Sequence, residues 1–132
     1  MRQVLGAVLG IAVAVGVVFL VELIGHAALP VPTDYDPMTE DGAARYLREA
    51  PIAAKLALVF AWFVGALAGG WIAVRVGGRA WLAWIVAGVI AAGGIANIMM
   101  IPHPLWMQVA AVAAPLLAGW IASRIGRPRV AV

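Results

Sequence analysis

Cysteine is absent from the 132 residues, so disulfides, thiolate metal sites and cysteine nucleophiles are excluded. Hydroxyl side chains are scarce as well, because Ser123 is the only serine and Thr33 and Thr39 are the only threonines. No histidine lies near any of these three residues in the sequence. Nucleophilic acyl transfer at a hydroxyl is therefore not expected.

Charged residues make up only 11% of the chain, whereas apolar residues make up 65%. Soluble domains contain about 45 to 50% apolar residues, so this excess predicts an integral membrane protein with the lipid bilayer as its main partner. The net charge of +3 does not indicate a nucleic acid partner. The nine Lys and Arg residues are scattered at the ends of apolar segments instead of being gathered on one polar face.

Four apolar stretches are long enough to cross a bilayer, which takes about 20 residues of helix because lipid offers backbone groups no hydrogen-bond partner. They cover residues 4–29, 51–74, 80–101 and 105–123. The loop 30–50 between the first two is the only long polar segment, and the other connections are short. The sequence therefore predicts a single all-α domain over 1–132, a four-transmembrane-helix bundle in which successive helices are antiparallel.

The basic residues predict the orientation of the bundle. One side carries Arg2, Arg75, Arg79, Arg124, Arg127 and Arg129, and the other carries Arg45, Arg48 and Lys55. The positive-inside rule then predicts a multi-pass protein of the bacterial inner membrane with both termini in the cytoplasm. The loop 30–50 would be periplasmic, with a short interfacial helix capped by Thr39 that lays Tyr46 and Leu47 on the membrane surface.

A sequence repeat links the second and fourth spans. The segment GWIAVRVG at 70–77 recurs as GWIASRIG at 119–126, an offset of 49 (119 minus 70). The same offset aligns two rows of small residues spaced by four, which would let helix backbones approach closely. We expect two tandem parallel two-helix repeats, the alternative being that both helix ends acquired Trp and Arg independently as interface anchors. The rows are Gly65, Gly69, Ala73 and Gly77 in the second span, and Ala114, Ala118, Ala122 and Gly126 in the fourth.

The stretch VELIGHAALPVP at 21–32 holds the candidate site. Glu22 and His26 are four residues apart, which brings them about 6 Å from each other on one helix face. Steps of four backwards lead to Gly6, but on an ideal helix only the row from Ala14 onwards shares a face with His26. An ionised carboxylate two turns inside a span is costly, so Glu22 has to be protonated, paired, metal-bound or in contact with water.

Other polar residues near the same side could complete a polar or ion site. Asn97 and His103, which stands between two prolines, would form that site with Glu22 and His26. A divalent metal is an alternative, because carboxylate and imidazole groups suit zinc and related ions. In the metal hypothesis, the ligands would come from Glu22, His26, His103, Asp34 and Asp36. A structural role is the other alternative, in which Glu22 forms an ion pair with Lys55 or Arg48.

Four short spans with one glutamate in the first, in VELIGH, resemble the small multidrug resistance transporters in these few residues. That resemblance would imply a dimer in which the glutamate binds cationic drugs and protons. Glu22 lies near the end of its span and not at the middle, and a long insertion follows it. We therefore do not assign the chain to that family.

The first functional reading is a structural or accessory subunit, self-assembling or part of a larger membrane complex, that packs through its small-residue rows. The alternative is a small transporter or channel that uses Glu22 as a proton or cation site. A metal-dependent membrane enzyme ranks third, because a metal would have to supply all of its chemistry. No cofactor beyond such a metal is expected, and a homo-oligomer is expected because so small a bundle has little interior.

Overall fold

The computed structural model of the chain describes residues 1–29, 36 and 38–127. Over these residues the fold is entirely helical, with no strand. The four long helices are apolar enough to cross a membrane, which confirms the four predicted spans to within a few residues at each end. The helices are α1 Arg2–Ala28, α2 Glu40–Glu49, α3 Ile52–Gly77, α4 Leu82–Met100 and α5 Leu105–Ile125.

The short helix α2 begins where the sequence predicts. The Thr39 hydroxyl accepts a hydrogen bond from the Gly42 backbone N–H at 3.1 Å, which satisfies one of the free amides of the first turn. The prediction for the apolar face of α2 is wrong, because Leu47 is buried and Tyr46 is half-buried. Both side chains pack toward the bundle, since burial against apolar helices removes them from water more completely than an interface would.

Helix α3 lies at the centre and packs against α1 along its row of small residues. An added Cβ on Gly65 would meet the Ala14 carbonyl oxygen at 2.8 Å, and one on Gly69 would meet the Ala14 Cβ at 2.6 Å. An added Cβ on Gly6 would meet the backbone nitrogen of Gly77 at 2.7 Å. The two backbones are therefore in direct contact, which only small residues allow.

The row on α1 is longer than an ideal helix face suggests. Gly6 and Gly10 are buried against α3 together with Ala14, although the spacing predicts that only Ala14 through His26 share one face of an ideal helix. Rows spaced by four are inclined to the helix axis, and a partner helix that crosses at an angle can follow such a row over its whole length. Glu22 and His26 continue this row toward the end of α1.

Helices α4 and α5 form the other antiparallel pair. An added Cβ on Gly94 would meet the Ala111 Cβ at 3.2 Å, and one on Gly119 would meet the Ala87 Cβ at 2.6 Å. In the small-residue row of α5, Ala114 is half-buried and the other three residues are buried. Part of that row faces α3 and not α4, because an added Cβ on Gly126 would meet the Val74 Cβ at 2.8 Å. The arrangement of the chain as two tandem two-helix repeats stays a prediction.

The two ends of the bundle differ in chemistry. At one end the Arg2 Nε donates a hydrogen bond to the Val76 carbonyl at 2.8 Å and so ties the start of α1 to the end of α3. We call this the arginine end, and it carries Arg2, Arg75, Arg79 and Arg124. The opposite end, which we call the loop end, carries α2 and the turn between α4 and α5.

Candidate functional site

A cavity of about 240 Å³ opens at the loop end between α1, α2, α3 and the end of α4. We call it the polar cavity. Four predicted site residues that come from three separate segments line it together, namely Glu22, His26, Asn97 and His103. The rest of its wall is mainly apolar, with small residues on α1 and α3 leaving the space. These other lining residues are Val21, Gly25, Leu29, Ala43, Tyr46, Leu47, Ala54, Ala57, Leu58 and Ile101.

Helix α2 supplies one wall of the polar cavity. Its Tyr46 ring stacks on the His26 ring with a centroid distance of 5.4 Å and an interplanar angle of 17°. Ala43 and Leu47 complete the same face, since residues three and four positions apart lie together on a helix. This contribution is not predicted from the sequence, although the spacing of Ala43, Tyr46 and Leu47 is the signal that could reveal it.

Both histidines are held through the same ring nitrogen. The Nδ1 of His26 lies 2.9 Å from the Glu22 carbonyl oxygen, and the Nδ1 of His103 lies 2.6 Å from the Ile101 carbonyl oxygen. A carbonyl can only accept a hydrogen bond, so we infer that Nδ1 carries the hydrogen in each ring. In this tautomer the Nε2 of each ring is the acceptor, and it has no hydrogen-bond partner within the described part of the chain.

The turn between α4 and α5 fixes His103 in place. His103 is only 8% exposed, and its carbonyl accepts a hydrogen bond from the Gln108 Nε2 at 2.9 Å. Pro104 begins α5 as its N-cap residue, so the chain turns sharply at the histidine. A buried imidazole in this setting is oriented by the backbone, which is the usual way in which a functional histidine is positioned.

The Glu22 carboxylate forms no ion pair with Lys or Arg among the residues that the structure describes, and its electrostatic partner there is His26 on the same helix. Its predicted pairing with Lys55 or Arg48 is not found, because no cation lies within 4.0 Å of it over 1–29, 36 and 38–127. The Asn97 side-chain amide likewise makes no hydrogen bond over that part of the chain. Both groups line the polar cavity and are half-buried, so their hydrogen-bonding capacity is available to a solute or to water.

One of the two aspartates of the metal hypothesis, Asp36, does not join this group. Asp34 lies outside the described residues. Asp36 is exposed and does not line the cavity, and its Oδ1 accepts a hydrogen bond from the Met38 N–H at 2.9 Å. Within the described ranges, no three His, Asp or Glu side chains lie close enough together to hold a metal ion. The metal site stays a prediction that this geometry does not favour.

The polar cavity offers mainly hydrogen-bond acceptors. The Glu22 carboxylate, the Nε2 atoms of the two imidazoles and the Asn97 carbonyl can accept, whereas the Asn97 NH₂ group is the one donor of these four side chains that is not already bonded to a backbone carbonyl of the described residues. A solute rich in N–H or O–H donors would complement these groups.

Comparison of the chain with protein-family models, with curated proteins and with solved structures gives no match.

Proposed function

We propose that this small multi-pass membrane protein binds a small donor-rich cation, such as a primary ammonium group, in the polar cavity at its loop end. The observation that carries the proposal is the convergence of Glu22, His26, Asn97 and His103 on one cavity from α1, α4 and the turn before α5. Intramembrane ionisable residues mark ligand or ion sites by default, because an unpaired charge in an apolar setting is costly. A bound ammonium would supply a cationic partner for Glu22.

The packing below the polar cavity supports binding instead of conduction through one chain. Toward the arginine end, α1 and α3 are in backbone contact at Gly10 and Gly69. The centre of the bundle there is filled by side chains with 0% exposure. A solute that enters from the loop end therefore meets a closed floor. These filling residues are Ala73, Val86, Ala87, Ala118 and Ala122.

Titration with propylamine tests the proposal directly. The purified protein in lipid nanodiscs should bind the propylammonium ion saturably, whereas propanol and propionate should bind much more weakly because they lack the charge or carry the wrong sign. Isothermal titration calorimetry measures the affinities. Equal binding of all three solutes, or no binding of propylamine, would overturn the proposed function.

We also propose that the loop end faces the periplasm and the arginine end the cytoplasm of a bacterial inner membrane, since arginines concentrate at the latter. The absence of native cysteine makes a clean test. In intact cells, Met38→Cys should react with a membrane-impermeant maleimide, because Met38 is 90% exposed at the loop end. Arg79→Cys should react only after lysis, and the reverse labelling pattern would show the opposite orientation.

A structural or accessory subunit is the second candidate function. The small-residue row on α3 is buried in the contact between α1 and α3 inside one chain, so it is not available to a neighbouring subunit. The observation that favours this candidate is the outer face of α1, where Phe19 is 71% exposed and Leu23 is 68% exposed. A homo-oligomer or a larger membrane complex would cover that face, and native mass spectrometry from the source membrane would reveal it.

A further inference from the structure

A second cavity of about 290 Å³ lies one helical turn deeper than the polar cavity, between the same three long helices, and it opens to the outer surface of the bundle because Val15, Phe19 and Gly93 in its lining are exposed. We call it the apolar cavity. On each helix, a residue that lines the apolar cavity lies four positions from one that lines the polar cavity. These pairs are Val18 and Glu22 on α1, Leu58 and Trp62 on α3, and Gly93 and Asn97 on α4. Residues four apart are neighbours on a helix, so the two cavities are stacked. The apolar cavity is lined by Val15, Val18, Phe19, Trp62, Val89, Ile90, Gly93 and Gly94.

The chemistry of the two cavities changes sharply along this stack. The upper one holds Glu22, His26, Asn97 and His103, whereas the lower one is lined by aliphatic residues, glycines and the Phe19 and Trp62 side chains. A Cβ added at Gly93 would meet no atom within 4 Å, so this part of the lining has room for a larger side chain. From Glu22 to Val15 the stack extends about 10 Å along α1, at 1.5 Å per residue. This shape accommodates a molecule with a polar head and an apolar tail.

We propose that the ligand is a single-chain amphiphile, a primary alkylammonium whose head binds in the polar cavity and whose chain occupies the apolar cavity. The inference rests on the proposed function and deepens it by naming the ligand class. The head is cationic because it would face the Glu22 carboxylate, which forms no ion pair with Lys or Arg among the described residues. It carries N–H donors because the imidazole Nε2 atoms and the Asn97 carbonyl accept hydrogen bonds. The chain is apolar because its cavity offers it only van der Waals contacts.

Fluorine NMR on protein labelled with fluorotryptophan can detect the chain, since Trp62 lines the apolar cavity and is one of six tryptophans. The Trp62→Phe variant identifies its resonance. In nanodiscs, dodecylamine should shift the Trp62 resonance saturably, whereas propylamine should bind without that shift because its chain is too short to reach. Dodecyltrimethylammonium should bind more weakly than dodecylamine, because its head has no N–H donor.

Two glycines on α4 provide a matched pair of variants. Gly93→Phe should fill the apolar cavity and weaken dodecylamine binding by about tenfold or more while leaving propylamine binding unchanged, since only the chain site is lost. Gly88→Phe is the control, because Gly88 is exposed, does not line the apolar cavity and has no atom within 4 Å of an added Cβ. Partition of dodecylamine into the bilayer is the same for both proteins, so it cancels in the comparison.

The outcomes separate this inference from the proposed function. If propylamine binds but dodecylamine leaves Trp62 unshifted, or if Gly93→Phe does not affect dodecylamine, the amphiphile proposal is wrong and the polar site stands. If propylamine itself fails to bind, the proposed function fails. Equal affinity for dodecylamine and dodecyltrimethylammonium would overturn the requirement for donors. Should Gly93→Phe not fold, Val15→Phe fills the same cavity from α1 and serves the same comparison.

Discussion

Gly69→Ala is expected to destabilise the bundle, although the same substitution normally favours a helix. An added methyl group at Gly69 would lie 2.6 Å from the Ala14 Cβ and 2.9 Å from the Ala14 nitrogen, and it would also clash with the Gly10 carbonyl oxygen. Backbone atoms of α1 would have to move, and overpacking of this kind costs about 1–3 kcal/mol. The gain in helix propensity is only about 0.5–1 kcal/mol, so the clash prevails.

Gly88→Ala is the matched control for this prediction. Gly88 lies in the interior of α4, and an added Cβ there meets nothing within 4 Å. Its substitution should leave the melting temperature unchanged or raise it slightly, because only the propensity term remains. Thermal melting of both variants in the same detergent measures the difference.

Larger substitutions along the buried small-residue positions should have larger effects. Gly69→Leu should separate α1 from α3, and Ala118→Leu should disturb the centre of the bundle, where Ala118 has 0% exposure. Both should aggregate on extraction or melt well below the wild type. Unchanged melting of Gly69→Leu would mean that α1 does not pack on α3 along this row.

The fold was predictable wherever local signals decided it. Apolar length alone gives the four spans, and the Thr39 cap with its acidic first turn gives α2, because these features depend on residues close together in the chain. The small-residue row predicted where a helix would approach closely. It did not say which helix would do so, since the identity of α1 as the partner of Gly65 and Gly69 depends on the packing of the whole bundle.

The site was predictable in its members but not in its shape. Glu22 and His26 share a face by spacing alone, and Asn97 and His103 were expected near them from the topology. The cavity itself depends on α2 folding inward, which places Tyr46 on His26 at 5.4 Å. The sequence analysis assigned that face of α2 to the membrane surface, because an amphipathic helix of this length can bury its apolar side against lipid or against protein. Only the tertiary contacts decide between them.

Glu22→Gln is expected to weaken propylamine binding by roughly 10- to 100-fold, because a hydrogen bond to a charged group contributes about 1.5–3 kcal/mol. Glu49→Gln makes the same chemical change on α2. Glu49 pairs with Arg45 at 2.9 Å and does not line the polar cavity, so this control should bind propylamine as the wild type does. Equal loss of binding in both variants would mean that a general charge effect is at work, and not a contact at Glu22.

His103 tests the geometry of the same site from another segment. His103→Asn retains an amide that can donate to the Ile101 carbonyl in place of Nδ1, but it removes the Nε2 acceptor, so the turn should survive while propylamine binding weakens. If Glu22 and His103 contact one bound ammonium, the double variant with Glu22→Gln should bind hardly more weakly than the worse single variant, since residues that act on one group are not additive. Losses that multiply in the double variant would mean that the two side chains act at separate places, and the single site that the polar cavity implies would have to be abandoned.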